Sequence, residues 1–285
     1  MAPGTLFLCA TPIGNLEDIT LRALRVLKEA DLVACENRGR TLGLLSHFGI
    51  RKSLISYREE GHEELAPAIL SALREGKKVA LVSDAGMPGV ADPGPSLVAQ
   101  ARREGLAVEV IPGPSSLLAA LALSGYPADS FLFLGFLPRK TRKRREVLEA
   151  LAAECRTAVI FEAPHRIVKM LGELAGIIPD REAFLGRELT KKFEERLWGT
   201  PAELGALMAG RVVKGEITLV IKGGAAPRQG ESSSSSEALM APEEYLAGLM
   251  REGVTLREAR DLVARRFGLS RRSVYEKGLQ LRSKK

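Results

Sequence analysis

The chain has 285 residues, 45% of them hydrophobic, and carries 42 lysines and arginines against 35 acidic residues, a formal charge of +7. This length allows two ordinary domains and a small third one, and it excludes a small disulfide-stapled peptide. The charge is uneven, because residues 238–285 carry a net +5, residues 139–145 carry six cations and no acid, and the remainder sums to −4. Basic segments beside a mildly acidic body favour a catalytic body with a nucleic-acid surface, and the alternative is that they only keep the surface solvated.

Cysteine usage and hydropathy predict a soluble cytoplasmic protein. Cys9, Cys35 and Cys155 form no CxxC pair and have apolar neighbours, which is typical of reduced core thiols and indicates neither a disulfide framework nor a metal site. The first eleven residues lack the basic start of a secretory signal. The longest uncharged run, 110–128, contains three prolines and two glycines, so it does not predict a membrane helix.

In residues 1–124, short apolar runs alternate with amphipathic segments. The predicted strands are Leu6–Ala10, Leu32–Cys35, Leu54–Tyr57, Val79–Val82 and Val108–Ile111. The predicted helices are Leu21–Ala30, Thr41–Phe48, Glu63–Glu75 and Ser96–Glu104. This alternation is typical of βαβ units, so we expect a mostly parallel sheet in a first α/β domain.

A second α/β domain is predicted in residues 125–223, after a Gly-Tyr-Pro turn. Its expected strands are Phe131–Phe136, Thr157–Phe161, Ala183–Leu185 and Ile217–Ile221, with helices near Arg144–Ala153 and Ile167–Ala175. The short segment Glu194–Trp198 follows its predecessor closely and predicts an additional antiparallel strand. The second sheet is therefore expected to be mixed.

Residues 224–237 contain five consecutive serines and few apolar side chains, which predicts a flexible linker. Beyond it, residues 238–285 form a predicted basic helical domain with helices Pro242–Met250, Leu256–Phe267 and Arg271–Leu281. The short Gly-Leu-Ser connection between the last two helices is typical of a helix-turn-helix. The overall class is thus α/β, with two α/β domains and a small C-terminal helical unit.

The loop that follows the fourth predicted strand is the most informative segment. Residues 79–95 run from an apolar strand into a loop with three glycines, three prolines and two aspartates. Asp84 stands where the strand ends, and Gly86 and Gly89 leave room for a ligand against the backbone. An ordinary strand-to-helix connection is the alternative, but such connections usually need only about two to six residues. The length therefore favours a ligand site.

Two other strand ends carry similar loops, Thr11–Asn15 and Ile111–Ser116. Proline and glycine together make a rigid wall of backbone amides and carbonyls, to which Ser115 and Ser116 add hydroxyls. Neither the glycine-rich dinucleotide motif nor the phosphate-binding P-loop motif occurs in the chain. The pocket is therefore expected to hold another kind of ligand.

Seven motifs occur in a fixed order: TPIGNLEDIT, SDAGMPGVADPG, PGPSS, GFLPRK, EAPHRI, RELTK and GEITLVI. In this respect the chain resembles the ribosomal RNA small subunit methyltransferase I family, which is similar in fold to the tetrapyrrole methylases. The resemblance implies two α/β domains with S-adenosylmethionine bound in the cleft between them. It also implies 2′-O-methylation of cytidine 1402 in 16S rRNA, with free 16S rRNA or the 30S subunit as partner, and a homodimer.

The resemblance also implies which residues contact the donor. They are Pro12, Asp84, Gly86, Met87, Ser115 and Ser116 in the first domain, with Ala163 and Thr218 as the wall of the second. Carboxylate and carbonyl oxygens suit the positive charge of a sulfonium, and exposed backbone suits its adenine and amino-acid ends.

The residues leave the catalytic base open. The candidates for catalysis are Glu36, Glu162, His165, Glu188 and Lys191, which stand at strand ends or in the EAPHRI and RELTK motifs. Each has a structural alternative. Glu36 is also placed to cap a helix, His165 to bond local backbone, and Glu188 to pair with a neighbouring cation.

One motif departs from the family pattern, because Glu36-Asn37-Arg38-Gly39 stands where members typically read E-D-T-R. The second acid is an amide here and the arginine has moved, so the roles of both are in question. Arg38 is the expected substitute for phosphate contact.

RNA contact is predicted mainly for the basic segment after Pro138. The predicted RNA-binding residues there are Arg139, Lys140, Arg142, Lys143, Arg144 and Arg145, and Arg166 and Lys191 extend this surface. Arg271 and Arg272 are predicted to contact RNA phosphates from the last helix. A helical domain that only stabilises a dimer is the alternative for the C-terminal unit.

Two rival functions follow from the same residues. A methylase of a small tetrapyrrole would use the same donor, but it would need neither the basic segment nor the basic helices. A DNA-binding regulator with a metabolite-sensing body would bind a specific duplex and leave no methyl group on RNA.

Overall fold

The structure is a computed structural model that describes residues 3–58, 61–224, 242–251, 254–267 and 269–283. The chain divides into two compact units, Met1–Gly224 and Ala225–Lys285. Apart from Gly224, the predicted serine-rich linker lies outside the described residues.

The first sheet is parallel, as predicted. Its strands are β1 (Thr5–Cys9), β2 (Leu32–Cys35), β3 (Ser53–Ser56), β4 (Val79–Val82) and β5 (Ala107–Ile111), in the order β3-β2-β4-β1-β5. Leu6 of β1 pairs with Val79 on one side and Val108 on the other. All four residues of β4 are buried, which is typical of a strand covered on both faces.

Four helices flank this sheet. They are α1 (Leu21–Glu29), α2 (Arg38–His47), α3 (His62–Arg74) and α4 (Gly94–Arg103). Thr20 begins α1 by accepting a hydrogen bond from the backbone N–H of Ala23 at 3.0 Å, and Asn37 begins α2 by accepting from the N–H groups of Gly39 and Arg40. These capping residues thus fix where α1 and α2 begin.

The second sheet is mixed, also as predicted. Its strands are β6 (Phe131–Phe136), β7 (Thr157–Glu162), β8 (Ala183–Arg187), β9 (Glu195–Gly199) and β10 (Ile217–Ile221), in the order β6-β7-β10-β8-β9. Only β6 and β7 are parallel, and the other neighbours are antiparallel. The additional strand predicted at Glu194–Trp198 is confirmed as β9.

The helices of this part are α5 (Ser116–Ser124), α6 (Thr141–Ala150), α7 (Ile167–Ile177) and α8 (Pro201–Met208). The sequence did not predict α5 or α8. One core packs α6, α7 and α8 on one face of the second sheet, and α5 packs on the other face. There Leu121 shares a cluster with Ile13, which follows β1, and with Val220 of β10.

The second compact unit contains α9 (Pro242–Arg251), α10 (Leu256–Phe267) and α11 (Arg271–Ser283), which confirms three predicted helices. Their small core centres on Leu246, Ala259, Val263 and Val274.

Two sequence expectations concern the rest of the chain. Cys9 and Cys35 are buried, but the prediction was wrong for Cys155, which is exposed in the turn before β7. Among the described helices, none combines the length and apolarity needed to cross a membrane.

Candidate active site

The carboxyl ends of β1, β2, β4 and β5 bring four loops to one edge of the first sheet. Two of these loops are joined by an isolated antiparallel bridge, in which the N–H of Thr11 donates to the carbonyl of Gly86 at 2.9 Å and the reverse bond measures 3.1 Å. The Thr11 hydroxyl also donates to the carbonyl of Ser83 at 3.1 Å. Ligands of open α/β sheets bind at such an edge, so this is the candidate site.

A first cavity of about 360 Å³ opens at this edge, within the range of roughly 300–1,000 Å³ usual for small-molecule sites. Seven of the eight predicted donor contacts line it: Asp84, Gly86, Met87, Ser115, Ser116, Ala163 and Thr218. Glu36, Asp92, Phe136, Phe161, Glu162 and Glu216 also contribute to its lining. Loops from both sheets therefore form one cavity.

The loop after β4 is held in a single shape. The Asp92 carboxylate accepts hydrogen bonds from the N–H groups of Gly89 and Gly94, each at 2.8 Å. Gly86 has a φ of +85°, and a Cβ there would lie 3.3 Å from Ile13 and 3.4 Å from the carbonyl of Pro114. The glycine is therefore needed both for its conformation and for close approach to the neighbouring loops.

Ser115 is only partly available to a ligand. Its side chain begins α5 by accepting a hydrogen bond from the N–H of Leu118 at 3.4 Å, a bond that the sequence did not predict because it missed the helix. The hydroxyl still lines the cavity beside Ser116.

Glu36 lies directly after β2, half-buried in the wall of the first cavity. Burial raises the pKa of its carboxyl to about 7, and the neighbouring carboxylates of Asp92 and Asp84 contribute to the rise. Three carboxyl groups thus share a small space, and a cation entering the cavity would relieve their repulsion.

A second cavity, of about 340 Å³, adjoins the first. Pro12 lines this cavity and is the one predicted donor contact outside the first. The residues that line both cavities are Ser83, Asp84, Ala85 and Glu216. The second cavity also carries two cations, Arg40 and Lys191.

These cations are linked to the shared carboxylates. Arg40 lies 3.3 Å from the Asp84 carboxylate and 3.9 Å from that of Glu216. Lys191 lies 3.3 Å from Glu216 on the opposite side. The backbone N–H of Asn37 also donates to Asp84 at 3.0 Å. Asp84 is therefore bonded by a cation and a backbone N–H, whereas the Glu216 carboxylate is paired with the two cations.

Glu188 and Lys191 belong to one rigid turn. The Glu188 carboxylate accepts hydrogen bonds from Lys191 at 2.8 Å and from the N–H of Glu216 at 2.9 Å. Burial raises the pKa of Glu188, but these bonds outweigh it and hold that pKa below its usual value. For Lys191, burial lowers the pKa, but the two carboxylates outweigh it and raise the pKa above its usual value. Lys191 thus stays charged at neutral pH.

The EAPHRI motif supplies part of the first cavity. Glu162 is fully buried there, and its Oε2 has no hydrogen-bond partner among the described residues, while Oε1 accepts from the N–H of Ala163 at 2.7 Å. Arg166 lies 3.2 Å from Glu162 and donates to the carbonyl of Leu137 at 3.2 Å. His165 is exposed and lines neither cavity.

This arrangement bears on two of the predicted residues, Arg166 and Glu162. Arg166, a predicted RNA contact, is largely buried and holds the Leu137 loop, so most of its side chain is engaged within the fold. Arg166 holds the Glu162 carboxylate in place through Oε1, and the unpaired Oε2 stays at the wall of the first cavity.

The basic segment divides into three groups. Arg144, a predicted RNA contact, has a side chain that is 6% exposed and forms a bidentate pair with Glu173, at 2.9 and 2.5 Å, so its charge is engaged within the fold. Arg142 and Arg145 are exposed and paired with Glu146 and Glu149 along α6. Arg139, Lys140 and Lys143 are exposed, and none of them pairs with a carboxylate of the described residues.

The remaining predicted RNA contacts lie on helix starts. Arg38 is the exposed first residue of α2. In the C-terminal unit, Arg271 lies 3.2 Å from Asp261, and Arg272 pairs with Glu276 while remaining 91% exposed. Within the described part of the chain, no group of metal-ligating side chains is present.

Sequence reasoning missed Arg40 and Glu216. Arg40, rather than Arg38, contacts Asp84, because Asn37 begins α2 and turns the third residue beyond it toward β4. Glu216 stands in the GEITLVI motif, directly before β10. An acid beside a strand end is the signal that also marks Asp84, which follows β4.

The chain matches the family described as Tetrapyrrole (Corrin/Porphyrin) Methylases over residues 5–205. It is similar to curated proteins called Ribosomal RNA small subunit methyltransferase I. One, from Halalkalibacterium halodurans, is 41% identical over 95% of this chain and 93% of its own length. Another, from Pseudomonas aeruginosa, is 41% identical over the whole of both chains. A third, from Thermotoga maritima, is 46% identical over 77% of this chain and 99% of its own.

Solved structures share the fold. Native uroporphyrin III C-methyl transferase from Thermus thermophilus aligns with a TM-score of 0.56 at 25% identity, covering 76% of this chain and 97% of that one. The same enzyme complexed with S-adenyl homocysteine aligns with a TM-score of 0.55 at 24% identity, over 76% of this chain and 97% of that one. These likenesses confirm the predicted two-sheet α/β architecture.

Proposed function

Because this chain belongs to the ribosomal RNA small subunit methyltransferase I family within the tetrapyrrole methylases, we propose that it methylates the ribose 2′-oxygen of cytidine 1402 in 16S rRNA. The methyl donor is S-adenosylmethionine. The observation that carries the proposal is the first cavity, which gathers seven of the eight donor contacts implied by the family motifs.

The residues of the first cavity fit this donor. When bound, the donor supplies a methyl group made electrophilic by its sulfonium. Glu36 and Asp84 offer negative charge to a cationic ligand, and the orphaned Oε2 of Glu162 offers an acceptor for a donor N–H or hydroxyl. Phe136 and Phe161, whose ring centroids lie 5.7 Å apart, give the cavity an aromatic wall suited to a flat heterocycle.

The acceptor ribose is proposed to enter the second cavity. Methyl transfer then takes place where the cavities meet, between Asp84 and Glu216. Glu216 is the proposed acceptor of the ribose proton, because its side chain is 52% exposed, whereas that of Asp84 is 22% exposed and also accepts the N–H of Asn37. Lys191, held in its charged form by Glu188, stabilises negative charge on the ribose oxygen as the proton leaves.

Glu36 is assigned to the donor rather than to proton transfer, because it lines only the first cavity. Glu188 acts through Lys191 and is a positioning residue. His165 lies outside both cavity walls and is left without a role in the reaction.

The rRNA is proposed to lie along the exposed part of the basic segment, Arg139, Lys140, Arg142, Lys143 and Arg145, with Arg38, Arg271 and Arg272 as further phosphate contacts. We place the protein in the cytoplasm as a homodimer that acts on free 16S rRNA or on the 30S subunit.

The test is to incubate the protein and labelled S-adenosylmethionine with 30S subunits and free 16S rRNA that lack the modification, and to map 2′-O-methylation by nuclease digestion and mass spectrometry. Label on one cytidine ribose in the decoding region is the expected result. If the donor binds but neither RNA takes up label, the RNA assignment is refuted and a small-molecule methylase replaces it.

A further inference from the structure

A rigid turn beside the second cavity presents an exposed aromatic side chain that the proposed reaction does not use. The turn comprises Glu188–Phe193, between β8 and β9. The Phe193 side chain is 68% exposed, whereas Lys191, two residues earlier, lines the second cavity. The two ends of one short turn thus lie at the cavity wall and on the surface beside it.

The turn is held by a bond to the loop after β1 and by bonds to the residues that flank it on each side. The Thr190 hydroxyl accepts a hydrogen bond from the N–H of Asn15 at 3.1 Å, and the Thr190 N–H donates to Glu194 at 2.7 Å. Arg187 donates to the carbonyl of Phe193 at 3.2 Å. Glu188 and Thr190 both have positive φ, 51° and 67°, which is unfavourable for residues other than glycine. Such conformations persist only where the surroundings enforce them, and they cluster at functional sites.

A cation lies beside the Phe193 ring. The ammonium of Lys192 lies 5.6 Å from the centroid of the Phe193 ring, and Lys191 points to the neighbouring cavity with its charge retained. An exposed aromatic ring with one lysine beside it and a second lysine at the adjoining cavity is a combination with which proteins bind unpaired RNA bases, the ring by stacking and the cations by phosphate contact. A protein–protein contact is the less favoured use of this surface, because lysine is depleted in protein–protein interfaces.

We propose that Glu188–Phe193 is an RNA clamp, in which Phe193 stacks on an unpaired base next to the target nucleotide and Lys192 contacts its phosphate. This inference rests on the proposed function for the identity of the target, and it adds a substrate contact outside the two cavities. The rigid turn fixes the distance between the stacked base and Lys191, and thereby sets which ribose reaches the cavity junction.

The test compares Phe193→Ala and Phe193→Trp with Leu21→Ala, a control that removes another exposed apolar side chain outside both cavities. Phe193→Ala should raise the KM for unmodified 30S subunits at least about fivefold, the lower end of what losing a base–aromatic stack costs. Its Kd for S-adenosylmethionine should change by less than about twofold. Phe193→Trp keeps an aromatic ring for stacking and should have the KM of the wild type, as should Leu21→Ala.

A second measurement separates this inference from the proposed function. The Kd for a fluorescein-labelled single-stranded fragment of the decoding region, measured by anisotropy, should rise at least about fivefold in Phe193→Ala, whether or not the wild type transfers a methyl group. An unchanged Kd and KM would overturn the clamp. The clamp would also be overturned if Phe193→Ala had a different mass from the wild type in analytical ultracentrifugation, because Phe193 would then belong to an interface between copies of the chain.

Discussion

Replacing Glu36 with glutamine should make the protein more stable and a poorer binder of its donor. The Glu36 pKa is raised from an ordinary 4.5 to about 7, mainly by burial. The folded chain therefore holds a proton that the unfolded chain releases, so stability falls as pH rises from about 4.5 to 7 and stays reduced above that range. At 1.36 kcal/mol for each pKa unit, the neutral amide should increase the free energy of unfolding at pH 8 by at most about 3 kcal/mol.

Donor affinity should show the opposite effect. If only the ionised carboxylate of Glu36 favours the cationic donor, the apparent Kd scales with the inverse of the ionised fraction. With a pKa of about 7, the wild-type Kd should be about twofold higher at pH 7 and about elevenfold higher at pH 6 than at pH 9. In Glu36→Gln the Kd should be high throughout, and this part of the pH dependence should disappear.

Isothermal titration with S-adenosylmethionine at pH 6, 7, 8 and 9, together with urea unfolding at pH 4 and pH 8, measures both effects. Glu63→Gln is the matched control, since Glu63 is exposed on α3 and lines neither cavity. The reasoning is refuted by a wild-type Kd that does not change between pH 6 and pH 9. It is also refuted if Glu36→Gln is less stable than the wild type at pH 8.

Three further predictions concern other groups. Glu216→Gln should lower kcat by about 10²- to 10⁴-fold in single-turnover assays with little change in donor Kd, and an unaltered kcat would assign proton removal elsewhere. Arg144→Ala should lower the free energy of unfolding by about 3 kcal/mol in urea titrations, because it leaves the Glu173 carboxylate unpaired, and a loss below about 1 kcal/mol would contradict this. A double Arg139→Ala and Lys143→Ala variant should reduce the magnitude of the slope of log binding constant against log salt concentration, measured with single-stranded RNA, by about 1.4. An unchanged slope would show that neither residue contacts RNA phosphate.

Most of the fold follows from sequence periodicity. The strand β4 is a continuous apolar run, and β10 is apolar except for Thr218. Both are buried along their whole length, at positions of their sheets where both faces are covered. The helix α5 escaped prediction because its residues, 116–124, are almost uniformly apolar and show no polar face. It packs between the second sheet and the loop after β1, where no side of the helix needs to be polar.

The site was predictable to the extent that its residues stand at strand ends. Asp84 and Glu36 follow β4 and β2, and the parallel sheet brings them together. Arg144 was mistaken for a surface cation because its partner, Glu173, is 29 residues away in the chain, beyond any local pattern. Arg40 was missed because local helix capping by Asn37, rather than motif position, decides which arginine faces Asp84.

The bridge between Thr11 and Gly86 couples the evolution of the two loops that it joins. Each of the two loops supplies both a donor and an acceptor to the other, so an inserted or deleted residue in one removes two backbone bonds and leaves groups in the second unpaired. Substitutions in the two loops should therefore combine non-additively, although the loops are separated by more than seventy residues. Loop exchange between relatives is accordingly expected to preserve function only when both segments are transplanted together.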